Sequence, residues 1–257
     1  MWKYGLCMIG GILRQGIFSK DEIIVSNLTD EGRARSEKTL GVVTTLDNNE
    51  IVRSAKTVVL AVKPQFYEEV LTEVHDSLTT EHTIIGIAPG KTLAWLEEKA
   101  GLPLKVVRFM PNTPAQVGAG MTAVCTNDRV SEDELAEILK ITDSFGSTEV
   151  IPERLMDAAG AVGGCSPAYV FMFIEAMADA AVSQGMPRKQ AYKFASQTVL
   201  GSAKMVLETG RHPGELKDMV CSPAGTTIEA VKVLEAAGFR SALMEAMEVC
   251  AEKSRNM

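Results

Sequence analysis

The sequence predicts an α/β fold in two parts: a doubly wound, mainly parallel sheet, then an all-α region. Two observations carry this expectation. Between Ile23 and Val150, short β-branched runs alternate with stretches of helical periodicity, the pattern of βαβ units with helices on both faces of a sheet. After Val150 no strand pattern recurs. The composition agrees: 257 residues, 46% hydrophobic and 23% charged, describe an ordinary globular chain, long enough for one large domain or two small ones. The division is expected near Ile151–Glu153, giving residues 1–151 and 152–257.

The strand candidates are IIVS at 23–26, GVVT at 41–44, TVVLAV at 57–62, TIIGIA at 83–88, LKVVRFM at 104–110 and MTAVCT at 121–126. Each is β-branched and bounded by turn residues. Between them DEGRARSEKTL, QFYEEVLTEVHDSL, TLAWLEEKAG and SEDELAEILKITDSFG place apolar residues at three- and four-residue spacing. Ser131 followed by Glu134 forms a capping-box signature. From 155 to 256 successive helices are expected, broken near Gly185-Met186-Pro187, Gly210–Gly214, Ser222–Gly225 and Gly238.

The longest apolar stretch runs from Leu155 to Gly185. Its apolar residues surround the axis, so the helix should be buried on most sides. A membrane span needs about 18–20 apolar residues. Asp157, Glu175 and Asp179 leave too short an uncharged run, and Gly160, Gly163, Gly164 and Pro167 interrupt it. A soluble helix is expected, kinked or restarted at Ser166-Pro167, with Ser166 as cap and Pro167 in the first helical position. A second subunit is expected to cover it.

A net charge of -7 and a pI near 5.2 argue against a nucleic-acid or anionic-membrane partner. The start lacks a basic leader and a small-residue cleavage site, which predicts a cytoplasmic protein. Cys7, Cys125, Cys165, Cys221 and Cys250 are widely spaced and form no CxxC. They read as reduced, buried small hydrophobes. His75, His82 and His212 have no metal-ligand spacing and are expected on surfaces or loops.

A dinucleotide-binding domain should open with a buried strand and a GxGxxG turn. Gly5 and Gly10 offer only the outer two glycines, with no strand ahead of them. A second register fits better. Gly5 becomes the third glycine, CMIGGILRQG the following helix, and the ribose partner, about 20 residues on, falls at Ser26-Asn27. The domain is then Rossmann-like, with its first strand and first glycine absent and Trp2 in the place of the second glycine. Either the start codon is assigned too late or part of the pyrophosphate site is lost.

Four blocks then point to one family: VVLAVKPQ at 58–65, VVRFMPNTPAQVGAGMTAV at 106–124, GGCSPAYVFMFIEAMADAAV at 163–182 and ELKDMVCSPAGTTIEAV at 215–231. In this order and spacing the chain resembles the pyrroline-5-carboxylate reductases, over nearly everything from Gly5 onward. The resemblance implies reduction of 1-pyrroline-5-carboxylate to L-proline by hydride transfer from NADPH or NADH. It also implies a nucleotide-binding domain followed by a helical dimerisation domain, in a homodimer that assembles further, as pentamers of dimers do. The long helix becomes the spine of that dimer, with Gly160, Gly163 and Gly164 permitting close approach. Besides the start, the chain departs from the family at Ala224 and Cys165, where glycine is usual.

Read alone, Ser222-Pro223-Ala224-Gly225-Thr226-Thr227 is a loop entering a helix, most often a mere cap. A helix N-terminus also binds carboxylates well. The resemblance implies the second use, with Ser222, Gly225 and Thr226 on the substrate carboxylate and Thr227 directed at the ring nitrogen as the catalytic-site hydroxyl. Glu153 matches a family position near the substrate, and equally reads as a surface carboxylate in a first helical turn. Ala61, Val62, Lys63 and Pro64 follow a strand at its C-terminal end, where open α/β sheets bind ligands. The family sets this backbone against the nicotinamide half of the coenzyme. Ala88, Pro89 and Asn112 end two further strands on the same edge. Asn48 corresponds to a position near the adenosine ribose, or caps the helix Asn49–Ser54.

Charge argues the coenzyme. An acidic residue after the strand would bond a ribose 2′-hydroxyl and repel a 2′-phosphate. Ser26-Asn27 is neutral, and Arg33 and Arg35 follow, so NADPH is expected over NADH. Leu28 stands where the family commonly has a basic residue, which weakens the preference. Two other readings compete. One is a related β-hydroxyacid or other imine dehydrogenase; hydroxyacid enzymes of this shape use a lysine in the long helix, and none occurs between Arg154 and Arg188. A truncated paralogue serving as a binding module rests on the missing strand alone.

Overall fold

The computed structural model describes the backbone from residue 3 to 255 and side chains from residue 5. Trp2 lies outside the described residues. The chain forms two compact units, Met1–Cys165 with Cys250–Met257, and Ser166–Val249. The expected division at 151–152 marks where strands end. By compactness the first unit continues to Cys165 and takes in the end of the chain.

In the first unit the order is α1 (Lys3–Gln15), β1 (Ile24–Ser26), α2 (Asp30–Leu40), β2 (Val43–Thr45), α3 (Asn48–Ser54), β3 (Thr57–Leu60), α4 (Tyr67–Val74), β4 (Thr83–Gly86), α5 (Leu93–Ala100), β5 (Lys105–Met110), β6 (Gly120–Thr126), α6 (Glu132–Asp143), β7 (Gly146–Val150) and α7 (Met156–Ala159). Strands β3-β4-β5-β6-β7 form one sheet in that order, and β1-β2 a separate parallel pair. All pairings are parallel except β5 with β6. The doubly wound order 3-2-1-4-5-6 runs through one sheet, whereas among the described residues no strand pairs β1 or β2 with the five-stranded sheet.

The sheet is covered on both faces, as a parallel sheet must be. Alternate residues face opposite ways. Ile84 and Val106 join Val58, Leu60, Tyr67, Leu71, Leu96 and Met156 in one core. Ile85, Ile87, Val107 and Phe109 join Met8, Ile12, Ile138, Ile141 and Phe145 in the other. Strand β7, GSTEV, was not among the expected strands. It is a largely exposed edge, and Gly146 pairs with Gly120. A Cβ at Gly146 would stand 2.0 Å from the Gly120 carbonyl oxygen, so the chain approaches there only with glycine.

The second unit holds α8 (Ser166–Ser183), α9 (Arg188–Thr209), α10 (Pro213–Val220), α11 (Thr226–Ala236) and most of α12 (Phe239–Arg255). The breaks between them lie where expected, with positive φ at Gly185, Gly210 and Gly238. Helices α8 and α9 pack together, with Ala178, Ala191 and Ala195 buried. Phe173 and Phe239 meet at 6.2 Å between ring centroids.

The long apolar stretch is not restarted at Ser166. One helix runs through Glu153–Ser183, long and apolar enough, by length and composition, to cross a membrane. Its irregularity is a π-helical turn at Gly160–Cys165, so Ser166 and Pro167 lie inside the helix and Ser166 is no N-cap. Nor is the helix buried on most sides within this chain. Of α8 only Ala178 is fully covered, and Val170, Phe171, Met172 and Phe173 are exposed.

The cysteines also differ from expectation: only Cys125 is buried, and Cys165 is exposed. Burial pushes the Cys125 thiol up to about 11. His82 is buried, its Nε2 2.9 Å from the Val52 carbonyl oxygen. His212 caps α10 by accepting from the Gly214 N–H.

Candidate active site

The C-terminal ends of β1, β3, β4 and β5 carry Ser26-Asn27, Ala61–Pro64, Ala88-Pro89 and Asn112. One buried side chain ties two of these ends. Tyr67, with no exposed surface, donates its hydroxyl to the Leu60 carbonyl at 2.7 Å and accepts from the Ile87 N–H at 2.9 Å. Burial raises its pKa beyond the ordinary phenol range, so the hydroxyl stays a neutral link. The backbone leading to Ala61 and that leading to Ala88 are thereby fixed against each other. Lys63 is exposed and extended ahead of the 3-10 turn that Pro64 begins.

At β5 the side chain of Asn112 is fully engaged. Its Oδ1 accepts from the Met121 N–H at 2.9 Å and its Nδ2 donates to the Gly163 carbonyl at 3.1 Å. What Asn112 can offer a coenzyme is therefore its backbone. Asn48 does not cap α3. Asp47 does, accepting from the Asn49 N–H, while Asn48 Nδ2 donates to Glu73 at 2.7 Å. Gly5 is buried in the first turn of α1, a helix that begins earlier than expected.

Asn27 decides whether these residues suit a dinucleotide. It is 4% exposed. Its N–H donates to the Thr45 carbonyl and its Oδ1 accepts from Ser36, yet its Nδ2 is buried with no partner. So is Arg33 Nε. A buried donor left unpaired is unfavourable by about 1–3 kcal/mol. Two such donors, after a strand end and in the helix that follows it, fit a ribose or its phosphate.

Glu153 is neither a free surface carboxylate nor a free counter-charge. Its Oε1 accepts from Arg108 Nη1 at 2.6 Å and from the Leu93 N–H at 2.7 Å. Arg108 is 5% exposed on its side chain and Glu153 32%. The pair clamps β5 to the turn at Glu153–Leu155 and to the start of α5.

In the second unit the loop at 222–227 shows why it has its sequence. Ala224 is the only described non-glycine residue at positive φ, +54°, the position where a glycine was expected. The Gly225 N–H donates to the Ser222 carbonyl at 3.0 Å. A Cβ at Gly225 would lie 2.3 Å from Ser222 Oγ. Gly225 precedes α11 with no side-chain cap. The N–H groups of Thr226, Thr227 and Ile228 thus lie in a first helical turn that leaves them without intrahelical acceptors. Such a helix start suits an anion by geometry and dipole, and Ser222 and Thr226 beside it are exposed.

Comparison with known proteins decides what carries these features. The pyrroline-5-carboxylate reductase of Escherichia coli K12 is 49% identical over 98% of this chain and 94% of its own length. The chain belongs to the pyrroline-5-carboxylate reductase family. The family's dimerisation model matches residues 153–257, and a model described as NADP oxidoreductase, coenzyme F420-dependent, matches residues 3–90. The pyrroline-5-carboxylate reductase of Methanosarcina acetivorans is 41% identical over 99% of this chain and 94% of its own. Among solved structures, that of the Coxiella burnetii pyrroline-5-carboxylate reductase superposes with a TM-score of 0.91 at 33% identity, covering 98% of this chain and 94% of that one. The Plasmodium falciparum pyrroline carboxylate reductase with NADP bound gives 0.89 at 32%, covering 98% and 94%.

Within this family frame, Tyr67 and Arg108 are the positioning residues that sequence reasoning missed. A signal existed for Tyr67: a tyrosine on the core face of an amphipathic helix needs a partner for its hydroxyl. Arg108 lies in a run of apolar residues, VVRFM, where a buried charge implies a partner carboxylate.

Proposed function

We propose that the chain reduces 1-pyrroline-5-carboxylate to L-proline with NADPH, with NADH as a poorer donor. We further propose that it does so in the cytoplasm, as a homodimer that assembles further, without a nucleic-acid or membrane partner. The observation carrying this reading is the uncapped start of α11 behind Ser222–Gly225, in a chain that matches the family along its whole length. The exposure of Val170, Phe171, Met172 and Phe173 around α8 supports a covering subunit.

When bound, the coenzyme supplies the hydride. The chain's own residues bind and orient. The substrate carboxylate is assigned to the N–H groups at the start of α11, with Ser222, Gly225 and Thr226 around it. Charge on the carboxylate is the same before and after reaction, so this contact positions the ring without opposing the chemistry. Thr227 directs its hydroxyl at the ring nitrogen. A threonine hydroxyl is far too weak an acid to donate a proton outright at neutral pH. The imine therefore reacts already protonated, and Thr227 orients it and the amine that forms. Glu153, whose charge Arg108 offsets, is assigned to holding the strand edge near the substrate. Gly5, Ser26, Asn27, Asn48, Ala61–Pro64, Ala88, Pro89 and the Asn112 backbone are assigned to the coenzyme, and residues 1–151 and 152–257 to the two domains.

The test is coenzyme oxidation in the presence of 1-pyrroline-5-carboxylate, with proline as the product measured. A higher kcat/KM with NADPH than with NADH is expected. A clear advantage for NADH overturns the preference. Absence of proline with either coenzyme overturns the enzyme reading in favour of a helical binding module.

A further inference from the structure

The arginines that suggest NADPH are not free. Arg33 Nη2 lies 3.3 Å from Asp30 Oδ1 and its Nη1 3.9 Å from Glu37 Oε1. Glu37 is itself held by Thr44 Oγ1, which donates to the same oxygen. Arg35 pairs with Glu31 at 3.3 Å. Along α2 three carboxylates, Asp30, Glu31 and Glu37, face three cations, Arg33, Arg35 and Lys38. Counting arginines in the sequence therefore overstates the positive field. Leu28, between β1 and α2, is 96% exposed and adds no cation.

We propose that Asp30 is the specificity-determining residue for the coenzyme: its carboxylate occupies the Arg33 guanidinium and the first turn of α2, the place a 2′-phosphate would take. This rests on the dinucleotide reading above. Asp30 is the first residue of α2, behind the cap in which Thr29 accepts from the Gly32 N–H. A carboxylate there is favoured by the helix dipole, and a phosphate would be favoured for the same reason. Asn27 packs against that turn, since a Cβ at Gly32 would meet Asn27 Cβ and Oδ1 at 3.5 Å. The unpartnered Asn27 Nδ2 and Arg33 Nε belong to the same corner. A phosphate monoester carries about -1.5 to -2 at neutral pH. It must displace Asp30 from Arg33 and sit beside its charge. A 2′-hydroxyl does neither, and leaves the Asp30–Arg33 pair intact. Asp30 is 79% exposed on its side chain, so the pair opens readily. The device grades the preference and does not abolish NADPH binding.

Equilibrium binding of NADP+ and NAD+ at fixed low salt, by calorimetry on the full chain, tests this. Asp30→Asn frees Arg33 and removes the repulsion. It is expected to tighten NADP+ by about three- to tenfold and to move NAD+ less than about twofold. Asp30→Ser, which keeps a helix-start residue, should do the same and guards against a folding effect of either change. Arg33→Gln should weaken NADP+ and, combined with Asp30→Asn, shrink the gain. Equal shifts for both coenzymes, or none, overturn the role of Asp30 while leaving the dinucleotide reading intact. A native chain that binds neither coenzyme overturns both.

Discussion

Asn112 Nδ2 donates to the Gly163 carbonyl at 3.1 Å, the acceptor that an unbroken α-helix would pair with the nitrogen of Pro167. That nitrogen carries no hydrogen. The π-helical turn at Gly160–Cys165 gives the proline ring room in a helix that continues through it. The same asparagine holds the Met121 N–H with its Oδ1. One side chain thus joins the end of β5, the start of β6 and the turn that leads into α8.

Asn112→Ala is expected to leave that N–H and that carbonyl unpaired in partly buried surroundings. The loss should be about 2 kcal/mol, read as a lower urea midpoint with an unchanged m-value. Asn112→Asp keeps the acceptor but sets a carboxylate oxygen against the Gly163 carbonyl, and should be no better than alanine. A midpoint within error of the native one would remove Asn112 from this role.

The loop before α11 makes opposite predictions for neighbouring residues. Ala224 sits at φ +54°, a conformation that disfavours a Cβ by about 1–2 kcal/mol. Glycine recovers that, less about 0.4–1 kcal/mol for the freer unfolded chain. Ala224→Gly should therefore raise Tm slightly and preserve KM for the imine. Gly225→Ala drives a Cβ to 2.3 Å from Ser222 Oγ and must move the loop. It should raise KM for 1-pyrroline-5-carboxylate by about tenfold or more, a loss of about 1.4 kcal/mol in binding, with Kd for NADP+ unchanged. An unchanged KM would show that the substrate does not sit at this helix start.

Arg108 and Glu153 form the least exposed ion pair among those described. Removing one partner strands the other. Glu153→Gln should destabilise by about 1–3 kcal/mol, below the full figure for a buried pair because Glu153 is a third exposed. Arg108→Met with Glu153→Gln should recover part of the loss. If Glu153 instead supplied charge to the substrate, the single change would raise KM while the unfolding midpoint stayed put. Steady-state kinetics beside urea denaturation separates the two outcomes.

The elements that declared themselves in the sequence are those whose signal is local. Ser131 caps α6 as its spacing to Glu134 implied, and glycines end α2, α5 and α9 in left-handed geometry. Buried parallel strands such as TIIG are covered at every position, β-branched in their first three residues and hard to miss. What was illegible depends on partners distant in sequence. GSTEV becomes a strand only because Gly146 can lie against Gly120. The π-helical turn depends on an asparagine some fifty positions away in the chain. At the site, the ends of β1, β3, β4 and β5 were legible from strand order. The engagement of Glu153 by Arg108 and of Arg33 by Asp30 was not, since a sequence lists charges without pairing them.

Acid should act through Glu134. Its carboxylate accepts from the Ser131 N–H and hydroxyl and from Lys105 Nζ, and these bonds hold its pKa down, from 4.5 to about 2, the Lys105 bond most of all. The folded value is depressed, so the stabilisation is complete above about pH 4.5 and is lost as pH falls toward 2. Glu134→Gln should lower stability at neutral pH and flatten the fall between those limits. Urea midpoints from pH 7 to 3 measure it. Parallel curves for the native and variant chains would place acid sensitivity elsewhere.

Gly164 tests whether the long helix serves assembly. A Cβ at Gly164 meets nothing within 4 Å in this chain, and the same is true at Gly163. The first carbon of a side chain there meets nothing in the isolated subunit, and the helix-propensity change is modest and favourable for leucine over glycine. Damage from Gly164→Leu is therefore expected from another subunit packed against this turn, where small residues permit close approach of helices. The expected outcome is a chain with native helix content by circular dichroism but a weakened homo-oligomer by sedimentation, and a raised KM for the imine, because the turn adjoins the Asn112 contact that holds the strand edge. The two effects should appear together and diminish together as protein concentration rises. A stable oligomer with normal KM would break the coupling between assembly and catalysis.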